Sequence, residues 1–140
     1  MKYLKTTFFK TAIILTVLWL GGCVYTNTYQ PELNAKQQTI LDSINSKYGF
    51  ENVSLLGKKT SGSGGDHTTL TIRFTNGKNI PTDTAQMKAA ARQLAIQVKG
   101  ALKNPKEFES YTVLFNTSVT NGAVTTNNYV GYDFKDAELK

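Results

Sequence analysis

The segment DTAQMKAAARQLAIQVKGALKNP, residues 83–105, contains the strongest periodic pattern in the chain and decides the fold. Its apolar residues recur at helical intervals, at positions 87, 90, 91, 94, 98 and 102. Asp83 and Gln86 have the spacing of a capping box at a helix start, and Pro105 cannot continue a helix. The segment therefore predicts an amphipathic helix whose apolar face must pack against another apolar surface.

Two hairpins on either side of this helix supply that surface. Residues 51–75 contain alternating apolar residues and a glycine- and serine-rich turn, SGSGGD, and residues 110–134 are split by Asn121-Gly122, a dipeptide typical of tight hairpins. An earlier helix is predicted over 35–48, ending at Gly49. We therefore expect an α+β two-layer sandwich, a four-stranded antiparallel sheet with two helices on one face, in the order α-β-β-α-β-β.

The two helix–hairpin units have similar patterns. Residues 50–55 match 108–113 at an offset of 58, and residues 69–74 match 129–134 at an offset of 60. Few of the matched positions are identical, so an internal duplication and two independent units of one type both remain open.

The first 23 residues have the composition of an export signal. Three lysines precede an apolar run over residues 11–20, which is too short to span a bilayer. Leu20, Gly21, Gly22 and Cys23 then resemble the lipobox of bacterial lipoproteins. The resemblance implies that residues 1–22 are a signal peptide cut after Gly22, and that Cys23 carries a diacylglyceryl thioether and a new amino group open to acylation, for example by palmitate. A membrane-anchor helix that happens to contain a cysteine is the alternative.

The residues after Cys23 bear on location. Val24 stands where an aspartate would favour retention at the inner membrane, and no acidic cluster follows Cys23. The lipoprotein resemblance therefore implies the outer membrane, on its periplasmic side, with the inner membrane and the cell surface as alternatives. We expect residues 23–34 to form the lipidated cysteine and a polar tether, and residues 35–140 to form one α+β domain.

Removal of the signal peptide changes the composition. The chain has 16 basic and 10 acidic residues, and residues 1–22 hold 3 of the basic and none of the acidic ones, so the remainder has a formal charge of 13 − 10 = +3. This modest charge and an exported location argue against nucleic acid as a partner. Cys23 is the single cysteine, so no internal disulfide is expected.

No group of residues has the spacing of a catalytic or metal site. His67 is the single histidine and adjoins Asp66, whereas zinc usually takes three or four protein ligands. Asp133, Asp136 and Glu138 do not match a calcium loop, and SGSGGD lacks the lysine that follows the glycines of a phosphate loop. We therefore expect no catalytic residue, no metal and no cofactor, and a small hydrolase is the least favoured alternative.

Two surfaces are candidates for binding. Lys88, Arg92, Lys99 and Lys103 lie along one side of the second helix; we call this set the basic ridge. It is either a contact surface for an anionic partner or simply the solvated face of an amphipathic helix. Tyr129, Tyr132 and Phe134 in the last strand are candidates for a sheet-face binding surface or a dimer contact, and alternation places Tyr129 on the face opposite to the other two. Ordinary sheet packing is the alternative.

These patterns favour a lipid-anchored envelope protein that acts as a non-catalytic binding or structural module. Its expected partners are the membrane, through the lipid, and an envelope protein or an anionic glycolipid. An accessory, sensor or inhibitor subunit that docks on one envelope protein is the alternative.

Overall fold

The computed structural model describes residues 24–140, which form a five-stranded sheet covered on one face by two helices. The predictions for Leu20, Gly21, Gly22 and Cys23 lie outside these residues. In chain order the elements are β1 (Tyr25–Tyr29), α1 (Gln37–Tyr48), β2 (Asn52–Gly62), β3 (Gly65–Thr75), α2 (Thr84–Ala101), β4 (Ser110–Asn121) and β5 (Val124–Lys135), with short 3-10 helices at Pro105–Glu107 and Asp136–Glu138. The α+β class is confirmed.

The sheet is mixed rather than antiparallel, which corrects the predicted topology. Its strands lie in the order β1-β2-β3-β4-β5, and β3 pairs with β4 in parallel while every other neighbouring pair is antiparallel. The reason is that α2 carries the chain back along the sheet from the end of β3 to the level of its start, so β4 must run in the same direction as β3.

The segment 24–32, predicted as part of a tether, contributes the fifth strand. Within it β1 pairs with the second half of β2, from Tyr25 beside Ser61 to Tyr29 beside Gly57. A Cβ atom at Gly57 would lie 2.8 Å from the ring of Tyr29, so the glycine makes the room that this ring occupies. The sequence VYTNTYQPE shows no obvious strand pattern because β1 is a short edge strand with mostly exposed side chains.

The core lies between the helices and the sheet. From α2, Ala91, Leu94 and Val98 are fully buried, and the alanines let the helix backbone approach the strands closely. The predicted cap of this helix is confirmed, since the Gln86 backbone N–H donates to Asp83 Oδ1 at 3.0 Å. Further core residues come from α1, the following turn, the strands and the C-terminus, among them Ile44, Tyr48, Phe50, Leu70, Ile72, Phe74, Tyr111, Val113, Phe115, Phe134 and Leu139.

The two main hairpins share one pairing register. Leu55 lies opposite Ile72 in the first hairpin, and Val113 lies opposite Tyr132 in the second. Val113 follows Leu55 by 58 positions and Tyr132 follows Ile72 by 60, the same offsets that relate the two units in sequence. The second hairpin extends beyond the end of β3. The pairing of β3 with β4 stops at Asn116, so residues 117–128 project past the rest of the sheet. We call this projection the β4–β5 arm.

Candidate binding surfaces

Strand alternation gives the sheet one covered face and one face that neither helix covers, called here the open face. The buried residues of β3 and β4, among them Ile72 and Val113, point toward the helices. Their neighbours Thr71, Arg73 and Thr112 therefore point the other way. Threonine is common on the open face, where its branched side chain suits a strand and its hydroxyl suits water.

The three aromatic residues predicted as a sheet-face surface are not brought together. Phe134 is only 4% exposed and belongs to the core on the helix side. Tyr132 is partly buried on the same side, and its hydroxyl donates to the Thr84 carbonyl at 3.5 Å. Tyr129 alone of the three lies on the open face, where it is 53% exposed. The predicted split between the two faces is confirmed, but the cluster reduces to a single tyrosine.

A small mixed surface surrounds Tyr129. The Arg73 guanidinium lies 5.8 Å from the centre of the Tyr129 ring, within the range of a cation–π contact. Beside it, the Leu114 side chain covers Gly131, because a Cβ at that glycine would lie 3.0 Å from Leu114 Cδ2. A shallow depression of about 250 Å³ adjoins Arg73 and the exposed Leu56. This part of the open face therefore combines apolar contact area with one fixed cation.

Most of the basic ridge is engaged within the protein. Lys99 Nζ lies 2.6 Å from Asp136 Oδ1 and donates to the backbone carbonyls of Asp136 at 3.3 Å and Leu139 at 3.2 Å. The Lys99 side chain is only 22% exposed. Arg92 donates from Nε and Nη2 to the Glu138 carbonyl, at 3.0 and 2.6 Å. These bonds hold the C-terminal segment against α2, where Leu139 is buried in the core.

The two remaining ridge residues differ from each other. Lys103 lies 2.6 Å from Glu32 Oε2, and this contact lowers the pKa of the Glu32 carboxyl and raises that of Lys103. Lys88 is exposed and has no ion pair or hydrogen bond with any residue in the described range 24–140. The four cations therefore do not form one free surface, because three of them hold chain segments together.

The candidate metal and loop residues lie at several places. His67 Nδ1 is 3.1 Å from Glu109 Oε2, and Asp66 pairs at 2.8 Å with Lys59, which lowers the pKa of the aspartate. Asp133 accepts a hydrogen bond from Thr112 on the open face. Asp136 instead pairs with Lys99 of α2, on the helix side of the sheet. Within residues 24–140 no three or more His, Cys, Asp and Glu side chains are grouped so that they could hold a metal ion.

Sequence reasoning missed a groove of about 300 Å³ between β1 and the first 3-10 helix. There the Tyr29 hydroxyl donates to Glu107 Oε1 at 2.6 Å. Burial, and then the hydrogen bond and negative charge of Glu107, raise the pKa of Tyr29 to about 12. The two residues are 78 positions apart in the chain, and only the unpredicted pairing of β1 with β2 brings them together.

No family model, no curated protein and no solved structure matches the chain. Neither helix of the described part is long and apolar enough to cross a membrane.

The role of Lys99 in holding the C-terminus predicts a stability difference within the ridge. Lys99→Met should lower the free energy of unfolding by about 1–3 kcal/mol, because it leaves Asp136 and two carbonyls without their donor. Lys88→Met, the matched control, should change it by less than about 0.5 kcal/mol, because Lys88 is exposed. Urea unfolding followed by circular dichroism measures both, and a loss for Lys99→Met as small as the one expected for Lys88→Met would contradict the structural role of Lys99.

The raised pKa of Tyr29 predicts that its hydroxyl ionises in a late phase of an alkaline titration of the tyrosines. Its pKa is higher in the folded protein than in the unfolded chain, so this group's contribution to stability is present below pH 10 and is lost as the pH rises toward about 12. Glu107→Gln should move this phase to lower pH, because it removes the negative charge beside the hydroxyl. Glu109 lies close in sequence but contacts His67, so Glu109→Gln should leave the pH of this phase unchanged. Phenolate absorbance reports the result, and identical curves for the two variants would contradict the assignment.

Proposed function

We propose that the protein is a lipid-anchored, non-catalytic binding or structural module of the bacterial envelope. We place it on the periplasmic side of the outer membrane. The observation that carries this proposal is the quartet Leu20-Gly21-Gly22-Cys23 directly behind a basic and then apolar segment. On this proposal, cleavage before Cys23 leaves a chain that begins at its lipidated residue.

The anchor has a clear physical basis. Each methylene of an acyl chain contributes about 0.8 kcal/mol on burial in a membrane, so two or three chains hold a protein stably where one does not. A thiolate is a strong nucleophile, and Cys23 carries the single thiol of the chain. The anchor would therefore need no apolar helix after residue 23.

The binding surface that the geometry favours is the open face rather than the basic ridge. Arg73, Lys58 and Lys135 lie on this face with Asp133, and Glu109 adds a second carboxylate where it contacts His67, so the charge of the face is weakly positive. This charge suits an anionic glycolipid or an acidic patch on an envelope protein. The exposed Leu56 and Tyr129 favour the second candidate, in which the module is an accessory, sensor or inhibitor subunit docked on one envelope protein.

Intact-mass measurement tests the anchor. We expect protein purified from the envelope of a bacterial host to lack residues 1–22 and to carry the added mass of a diacylglyceryl group, with or without a third acyl chain. The variant Cys23→Ser should lose the added mass and the membrane association together. A wild-type chain of full length without acyl mass, recovered from the cytosol, would overturn the proposal.

Charge reversal tests the binding surface. Arg73→Glu should remove the open-face cation and its contact with Tyr129, and should reduce cross-linked recovery of an envelope partner by about tenfold or more. Lys88→Glu makes the same charge change on the exposed ridge residue that has no ion pair within residues 24–140, and should leave recovery unchanged. The opposite pattern, with loss only for Lys88→Glu, would assign binding to the ridge instead.

A further inference from the structure

The described chain begins beside the turn that joins β2 to β3. Tyr25 pairs with Ser61, two strand positions from the Ser63-Gly64 tip of this hairpin. Val24 continues past the strand, and a Cβ atom at Gly62 would lie 3.4 Å from Val24 Cγ2. The first described residue therefore contacts this turn rather than extending freely from the sheet.

The proposed lipidation residue, Cys23, is close in sequence to the strand that begins at this turn. One residue separates it from β1. Two peptide units span at most about 7 Å, so a lipid carried by this residue would be joined to β1 by a backbone link no longer than that. The polar segment 24–32 offers no length of free linker, because its first half is hydrogen-bonded into the sheet.

We propose that the β2–β3 turn and the adjoining Val24 and Tyr25 rest on the lipid surface, and that the β4–β5 arm points away from it. This orientation rests on the proposed lipid anchor at Cys23 and goes further by naming the end of the molecule that contacts the bilayer. Acyl chains on a residue joined to β1 by two peptide units would hold that end at the headgroups.

The chemistry of this end fits a lipid interface. Val24 and Tyr25 are 67% and 66% exposed, and tyrosine is enriched where membranes meet water. Residues 60–65, TSGSGG, carry hydroxyl groups and no charge. The nearest acidic side chain of the hairpin, Asp66, is neutralised by Lys59 at 2.8 Å, and Lys58 adds a positive charge that suits anionic headgroups.

The opposite end is far from the proposed contact. Ten residue steps along β3, from 65 to 75, and five along β4, from 116 to 121, separate the two turns. At about 3.3 Å per step this is at most about 50 Å along the strands. The sheet therefore stands away from the membrane, with its open face directed sideways and the arm at the far end.

Two labelled variants test the orientation. Ser63→Cys and Ala123→Cys replace small exposed residues at the two turns. Because the Cys23 sulfur is blocked by lipid, the new thiol is the single one free for a fluorescent label. The lipidated proteins are reconstituted into phosphatidylethanolamine and phosphatidylglycerol vesicles that contain a headgroup-nitroxide lipid. We expect quenching to be at least threefold stronger at residue 63 than at residue 123.

Each outcome separates the orientation from the anchor. Equal quenching at the two positions, or stronger quenching at 123, in protein of confirmed acyl mass overturns the orientation and leaves the anchor intact. Protein without acyl mass overturns the anchor and the orientation together. Insertion of about ten glycine and serine residues between Val24 and Tyr25 should keep the acyl mass but bring the quenching ratio toward one, because a flexible linker frees the domain to turn. An unchanged ratio would show that the short link does not set the orientation.

Discussion

The parallel pairing of β3 with β4 is the constraint on which the rest of the structure depends. It joins two antiparallel hairpins into one sheet, and α2 packs against β4 and β5 with Leu94 and Val98 fully buried. Because the two strands run in the same direction, the turns of the two hairpins lie at opposite ends of the molecule. An antiparallel junction would have placed both turns at the same end, and the chain would have had no distant arm.

Local patterns were sufficient to predict the helices, the two hairpins and the α+β class. The apolar spacing of α2 and the cap at Asp83 act within a few residues of each other, so the sequence displays them directly. The direction of β4 and the pairing of β1 could not be obtained in this way. Both depend on contacts between distant segments, such as Tyr29 over Gly57, that leave no periodic signal.

The candidate sites were harder to predict for the same reason. Helical spacing predicted four basic residues along one helix, and three of them lie in α2, which ends at Ala101 before Lys103. The spacing gave no information about the C-terminal segment that Lys99 and Arg92 bind. Alternation correctly separated Tyr129 from Tyr132 and Phe134, yet it did not show that Arg73, 56 residues earlier, lies against the Tyr129 ring. A cation that binds a neighbouring segment has the same sequence pattern as a solvated one.

If Cys23 carries the proposed lipid, the start of β1 only two residues later has a consequence for recognition by a partner in the same membrane. A domain on a long linker tumbles, and a partner must restrict its rotation on binding, which costs free energy. In a lipidated chain that enters its sheet after one residue, much of that rotation is already lost before any encounter. On the proposed anchor and orientation, two proteins confined to one bilayer would approach each other by lateral diffusion at fixed heights above it. A modest patch such as that around Arg73 would then need less intrinsic affinity to hold a partner.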